Sequence, residues 1–198
     1  MTKNVAPTNL HLVVADSADR ILDLTVYANE ITGSGDANAY EMRNMLLEAR
    51  RKARVRYKHG MTLPATAEKL RVDAERKVRH SRTLARNIKN ATGIERHKEA
   101  DAHHIVAWLD HRAQRSRDLL FGWNIGINDA DNGVYLPKKW SSKVPGLEGA
   151  TAHEPIHTNP YHFAVLARLA DVKGQASESG RSVLREIKSE ILKNEFIY

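Results

Sequence analysis

Along the first half of the chain, apolar residues recur at helical rather than strand spacing. Behind Asp16 and Ser17, side chains suited to capping a helix, come Ile21, Leu24, Val26, Tyr27 and Ile31, and Gly33-Ser34-Gly35 ends the run. A second run over 37–59 sets Met42, Met45, Leu46, Ala49 and Ala53 on one side. Arg50, Arg51, Lys52, Arg54, Arg56 and Lys58 surround the other, and Gly60 closes it. Pro64 opens a third run, in which Leu70, Ala74, Val78 and Leu84 repeat as far as Ile88 before Gly93. The spacing predicts three helices, arranged as a bundle or hairpin, within residues 1–95.

Beyond Gly93 the texture changes. Residues 101–162 hold six of the ten histidines and all three tryptophans. Leu109, Ala113, Ser116 and Leu120 predict a short helix closed by Gly122. Residues 124–128 and 133–137 flank Asp129-Ala130-Asp131-Asn132, and this Asn, Asp and Gly chemistry predicts a β-hairpin between them. Lys138 to Thr151 reads as loop. Asn159-Pro160 starts a helix carrying Phe163, Leu166 and Leu169, and a last helix sets Val183, Leu184, Ile187, Ile191 and Leu192 on a packing face. The expected class is α+β, mostly helical, with a division into 1–95 and 96–198.

Composition narrows the chemistry. The 198 residues are 41% hydrophobic and 28% charged, an ordinary globular balance. No apolar stretch approaches the ~20 residues of a bilayer span, and residues 1–8 lead into no signal pattern, so no membrane partner is expected. The chain has no cysteine, which excludes disulfides, thiolate metal sites and cysteine nucleophiles. Net charge is +7, but residues 41–100 carry seventeen basic side chains against seven acidic ones. A concentrated positive field suits a polyanion; from charge alone a solvated helix face is the simpler account.

The candidate chemistry lies in the histidines. His103-His104 precede His153-x-x-x-His157 by some fifty residues. Three imidazoles at one point can hold a divalent metal and leave positions open, and a fourth is then free to take a proton from water. Neighbours in an extended segment point opposite ways, so one of the pair can ligate while the other faces substrate. Pro155 makes an uninterrupted helical pair at 153 and 157 unlike the expected local structure, which is a loop or helix start. Asp129 and Asp131 are most simply turn residues, and would gain weight as ligands only for Mg²⁺. Arg112, Arg115 and Arg117 suit either a phosphate clamp or a solvated face. Trp108, Trp123 and Trp140 read as packing residues, with Trp140 beside Lys138, Lys139 and Lys143 also able to meet nucleic acid.

The segments Ala102-His103-His104-Ile105-Val106-Ala107, Arg115–Leu120, Ile127–Pro137, His153 and His157-Thr158-Asn159-Pro160-Tyr161, taken in order, resemble the AHH nucleases of the HNH and endonuclease VII superfamily. The likeness covers about residues 100–172. It implies a ββα-metal, treble-clef-like core: the His pair, a short hairpin and a closing helix, here behind an N-terminal helical segment. By that resemblance His103 is a metal ligand and His104 the general base. The bracing hairpin Asn is Asn132, with Asn128 behind it, and the closing ligands are His157 and His153. Position 162, where the family has a second aromatic, holds His162, which ranks below His153 as a ligand. The resemblance implies one divalent ion (Mg, Mn, Zn or Ni) and a DNA endonuclease with little sequence preference. Domains of this kind resemble the toxic tips of polymorphic bacterial toxins. The expectation is therefore an antibacterial effector made in the bacterial cytoplasm, acting in the target-cell cytoplasm and silenced by a cognate immunity protein. An RNase on the same fold, or a non-catalytic nucleic-acid-binding adaptor with a structural His-metal site, are the alternatives.

Overall fold

A computed structural model describes residues 43–44 and 54–198. The chain divides into two compact units, 1–54 and 55–198, and the expected division at 95/96 falls inside the second. The helix expected after Ser17 lies outside the described residues. Of the one expected over 37–59, Arg43 and Asn44 are helical, but its end is not.

Instead, β1 (Tyr57–Lys58) and β2 (Met61–Thr62) pair antiparallel about His59-Gly60. Both turn residues have positive φ, 50° and 79°, as a type I′ hairpin turn requires. Gly60 is thus a turn residue rather than a helix stop, and a Cβ there would lie 2.2 Å from the Asn87 carbonyl oxygen.

The third apolar run folds as two helices rather than one. Helix α1 (Ala67–Glu75) starts at Thr66, whose hydroxyl accepts from the Lys69 amide, and α2 (His80–Thr92) ends at Gly93 with φ 76°. Between them Arg76 is extended, and short bonds from the Val78 amide to Arg76 O and from the His80 amide to Val78 O turn the chain. The break lets Leu70 and Ala74 join one apolar cluster while Leu84 and Ile88 join another, a division of labour one straight helix could not achieve.

Strand β3 (Ala100–His104) pairs antiparallel with β4 (Gly133–Pro137), with His103 opposite Val134 and His104 opposite Gly133. This corrects the expected hairpin, since the partner of 133–137 is the histidine strand and not 124–128. Residues 124–132 are irregular, ending in a 3₁₀ turn at Ala130–Asn132, with Asn124 at φ 59°. Side chains have captured the backbone there. Asp129 accepts from the Asp131 amide, and Asn132 bonds the carbonyl of Ile127, so no partner strand can form.

Downstream, a 3₁₀ turn (His111–Ala113) leads into α3 (Gln114–Gly122), residues 138–151 form the expected loop, and α4 (Asn159–Ala170) and α5 (Ser177–Leu192) follow. Leu120, Ile125, Ile127, Leu136, Ile156, Tyr161, Leu184 and Ile187 fill the main core. Arg181 of α5 reaches Asp129 at 3.0 Å and Asp131 at 2.8 Å, and Arg185 also grips Asp131. These ion pairs tie α5 to the loop ahead of β4. Among the described residues, five α-helices and two small antiparallel sheets make an α+β fold. No described helix is long and apolar enough to cross a membrane.

Gly180 provides a test of this packing. A Cβ there would sit 2.4 Å from Cε3 of Trp123, a buried ring held by its Nε1–H bond to Gln175 O at 3.1 Å. Gly180→Ala is expected to lower stability by about 1–2 kcal/mol, overpacking outweighing the gain in helix propensity. A melting temperature at or above the parent's would contradict the assigned contact.

Candidate metal centre

His103 and His104 occupy the last two positions of β3, and the strand's alternation sends them to opposite faces. His103 faces a pocket closed by the segment between β4 and α4. There the His153 amide bonds Pro137 O at 2.8 Å, anchoring the turn to the end of β4, and buried Ile156 pins its middle. Pro155 keeps this stretch out of a helix. The chain becomes helical only after Thr158, whose hydroxyl accepts from the Tyr161 amide.

One nitrogen from each of His103, His153 and His157 lies within 4.8 Å of the others. The ring centroids are 5.2 Å (103–153), 5.1 Å (103–157) and 5.2 Å (153–157) apart. The Nε2 atoms of His153 and His157 are 3.3 Å apart, about the spacing of two nitrogens held tetrahedrally at ~2.05 Å from Zn²⁺.

The surroundings orient these rings. His103 Nε2 lies 2.8 Å from the Tyr161 hydroxyl, which itself donates to Ile105 O at 3.0 Å. The hydroxyl therefore accepts from His103 Nε2–H, leaving Nδ1 unprotonated. That Nδ1 is buried with no hydrogen-bond partner, which is the signature of an atom reserved for a ligand. Asp101 Oδ2 stands 3.4 Å from His153 Nδ1, as a carboxylate stands behind an imidazole that ligates a metal. The donor set thus fits a divalent cation, and three imidazole nitrogens suit Zn²⁺ or Ni²⁺ better than Mg²⁺. Asp129 and Asp131 are engaged by Arg181 and Arg185.

His104 sits apart from this trio. It is buried, and its Nε2 lies 3.2 Å from Asn128 Oδ1. Asn132, fully buried, accepts from the Val106 amide at 2.8 Å and donates to Val106 O and Ile127 O, so it clamps the chain just after the His pair. His162 is also buried, with Nε2 3.3 Å from Asp110 Oδ2 but not aligned for a hydrogen bond, and its ring stacks at 6.2 Å on His157. It lines the edge of the centre without joining the three nitrogens. Of the arginines, Arg112 chelates Asp110 and reaches Asn159 and His157 O at the rim. Arg117 is buried on Ala107 O and Asp110 O, a structural role, and Arg115 is exposed. Trp123 is packed, Trp108 lies tilted against His80 with ring centroids 4.7 Å apart, and Trp140 is exposed. Sequence reasoning missed the supports of the centre: Tyr161, Asp101 and His80. Nothing in their local spacing marks them, although Tyr161 closes the His157–Tyr161 segment that carries the resemblance.

Burial lowers the affinity of these rings for protons. His103 is held well below the ordinary imidazole value by burial and then by His157 and His153. His104 is pushed down to about 4 by burial, partly offset by its bond to Asn128. His157 falls to about 4, through the protein packed around it and then His153 and His162. His103, His104 and His157 are therefore neutral at pH 7. On unfolding they regain an ordinary value near 6.5. Below that pH the unfolded chain binds protons first, so these rings cost the fold nothing above about pH 6.5 and destabilise it increasingly as the pH falls toward 4. With a chelator present, the urea midpoint is expected to fall between pH 7 and 4.5, His104 alone accounting for about 2 kcal/mol. The lowered carboxyl of Asp110 acts only at still lower pH. A flat midpoint over that window would contradict the burial of these rings.

A strand-borne His pair, an antiparallel partner strand and a helix whose tyrosine props His103 define a small α+β core around three histidines that could hold a metal ion. The family model of AHH, described as a nuclease family of the HNH/ENDO VII superfamily with conserved AHH, matches residues 84–194, and the chain belongs to that family. HNH-type nucleases use a divalent metal, which the His103, His153 and His157 cluster is suited to hold. No curated protein and no solved structure matches the chain.

Proposed function

We propose that the protein is a metal-dependent endonuclease that hydrolyses phosphodiester bonds of DNA. The observation that supports this most directly is the convergence of three imidazole nitrogens within 4.8 Å beside a fourth, separately buried imidazole on the same strand. In this reading His103, His153 and His157 hold the ion, and His104 takes the proton from the attacking water. Asn132 holds the backbone that aims His104. When bound, the divalent ion supplies charge for the pentacovalent phosphate and the departing 3′ oxygen. Arg112, at the rim, is placed to meet a phosphate oxygen. Arg79, just ahead of α2, and Arg82, Arg86 and Lys89 along it lie exposed, in keeping with a non-specific phosphate platform.

The biological reading follows the resemblance to toxin tips. It is an antibacterial effector, made in the bacterial cytoplasm, delivered to a target cell and neutralised by an immunity protein. The chemistry is tested by stripping the protein of metal and incubating it with supercoiled plasmid and with RNA, alone and with Zn²⁺, Ni²⁺, Mn²⁺ or Mg²⁺. Metal-dependent plasmid nicking is the expected result. Cleavage of RNA alone would reassign the substrate, and no cleavage of either polymer with any metal would overturn the nuclease reading. Toxicity with genomic degradation on expression in a bacterium, absent for His104→Ala, tests the effector role.

A further inference from the structure

The base candidate His104 is the end of a buried chain of polar groups that begins outside the family match. His80, at the start of α2, is 1% exposed, and Asn128 is 2% exposed. His80 Nε2 lies 3.0 Å from the carbonyl oxygen of Arg76, in the break between α1 and α2. Its Nδ1 lies 3.0 Å from Asn128 Nδ2 and 3.3 Å from Asn128 Oδ1, and that Oδ1 lies 3.2 Å from His104 Nε2. Asn87 donates to Asn128 O at 2.7 Å, holding that backbone, and Trp108 packs tilted against the His80 ring.

The direction of this chain is fixed at one end. A backbone carbonyl only accepts, so His80 Nε2 carries the proton and, in the neutral ring, Nδ1 is an acceptor. The Asn128 amide must then turn its NH₂ toward His80 and its oxygen toward His104. That oxygen needs a donor, which puts the His104 proton on Nε2. His104 Nδ1 has no partner among the described residues, and in this tautomer it carries the lone pair. We infer that Asn128 and His80 are positioning residues that hold His104 in its Nε2–H form and so present Nδ1 as the proton acceptor. The inference rests on the reading of His104 as the base. It makes the helix break at Arg76–Arg79, ahead of the matched segment, part of the catalytic apparatus. In the opposite tautomer the proton would sit on the nitrogen that must accept one, a fault that costs orders of magnitude in comparable imidazole bases.

Two measurements on the full chain test it. Long-range ¹H–¹⁵N correlation of the imidazoles reads the tautomer of His104 directly, without any activity. The Nε2–H form is expected, and a proton on Nδ1 would overturn the inference. Kinetics then compare two replacements of His80. His80→Phe keeps a ring under Trp108 but removes both polar atoms. It is expected to lower kcat by about 10- to 100-fold with KM for plasmid unchanged. His80→Gln loses the ring but retains one donor for Arg76 O and one acceptor for Asn128, and is expected to stay within about 3-fold of the parent. A packing role would reverse that order. His80→Phe cutting as fast as the parent, or the two variants failing equally, would overturn the positioning role. If the parent cuts neither polymer, the nuclease reading fails while the tautomer measurement still decides this one.

Discussion

Replacing His104 by alanine is expected to reduce phosphodiester cleavage by about 10³-fold while leaving the metal-dependent rise in melting temperature intact. The two effects separate because β3 sends adjacent residues to opposite faces. His103 looks into the trio with His153 and His157, whereas His104 contacts Asn128 on the other side. His103→Ala is the matching control. It removes one of the three proposed ligand nitrogens, so both the thermal shift and cleavage should disappear, as they should for His153→Ala and His157→Ala. Melting curves with and without Zn²⁺ or Ni²⁺, run beside plasmid nicking, read both quantities. A His104→Ala protein that still cuts within 10-fold of the parent would remove His104 as the base. A variant that cuts poorly because it no longer responds to metal would move His104 into the ligand set.

The largest effect on stability is expected from Asn132→Ala. The side chain is fully buried and makes three bonds to backbone: one accepted from the Val106 amide, and one each donated to Val106 O and Ile127 O. Alanine leaves those groups stranded in a core that water does not reach. At about 1–3 kcal/mol for each unsatisfied group, partly relieved by local adjustment, the loss is about 3–5 kcal/mol. For a chain of this size that lowers the melting temperature by roughly 10 °C or more. Asn132→Asp retains an acceptor for the Val106 amide but buries a charge and loses both donations, so it should be no better than alanine. Because Val106 follows the His pair by two residues, metal affinity should fall as well. A change of less than about 1 kcal/mol would mean that the clamp is not what holds this loop.

Helices α3, α4 and α5 were legible because each carries its own signals. Thr158 with Pro160 starts α4, Gly122 closes α3, and α5 shows an unbroken apolar face from Val183 to Ile191. The hairpin failed for a local reason. The turn-forming residues between 124 and 132 are plain in the sequence, but their side chains bond backbone and arginines instead of closing a turn between two strands. The true partner, Ala100–His104, lies some thirty residues away, and period-2 patterning over five residues names no partner. The run from Pro64 to Ile88 misled similarly. Its apolar spacing survives the break at Arg76–Arg79 because the two halves face different apolar clusters.

The amino-acid order by itself determined which residue types are available for chemistry. There is no thiol, there are two histidine pairs about fifty residues apart, and Asn132 and Tyr161 stand at set distances from them. These are properties of a string, and family resemblance can be read from a string. Only the tertiary structure decided the partners: His103 Nδ1 left bare by Tyr161, His153 backed by Asp101, and His104 tied through Asn128 and His80 to a carbonyl in a helix break. The physical reason is that a ligand set or a tautomer depends on groups meeting at about 3 Å. Chain segments twenty to sixty residues apart meet at that distance only after the apolar core has chosen which faces pack together.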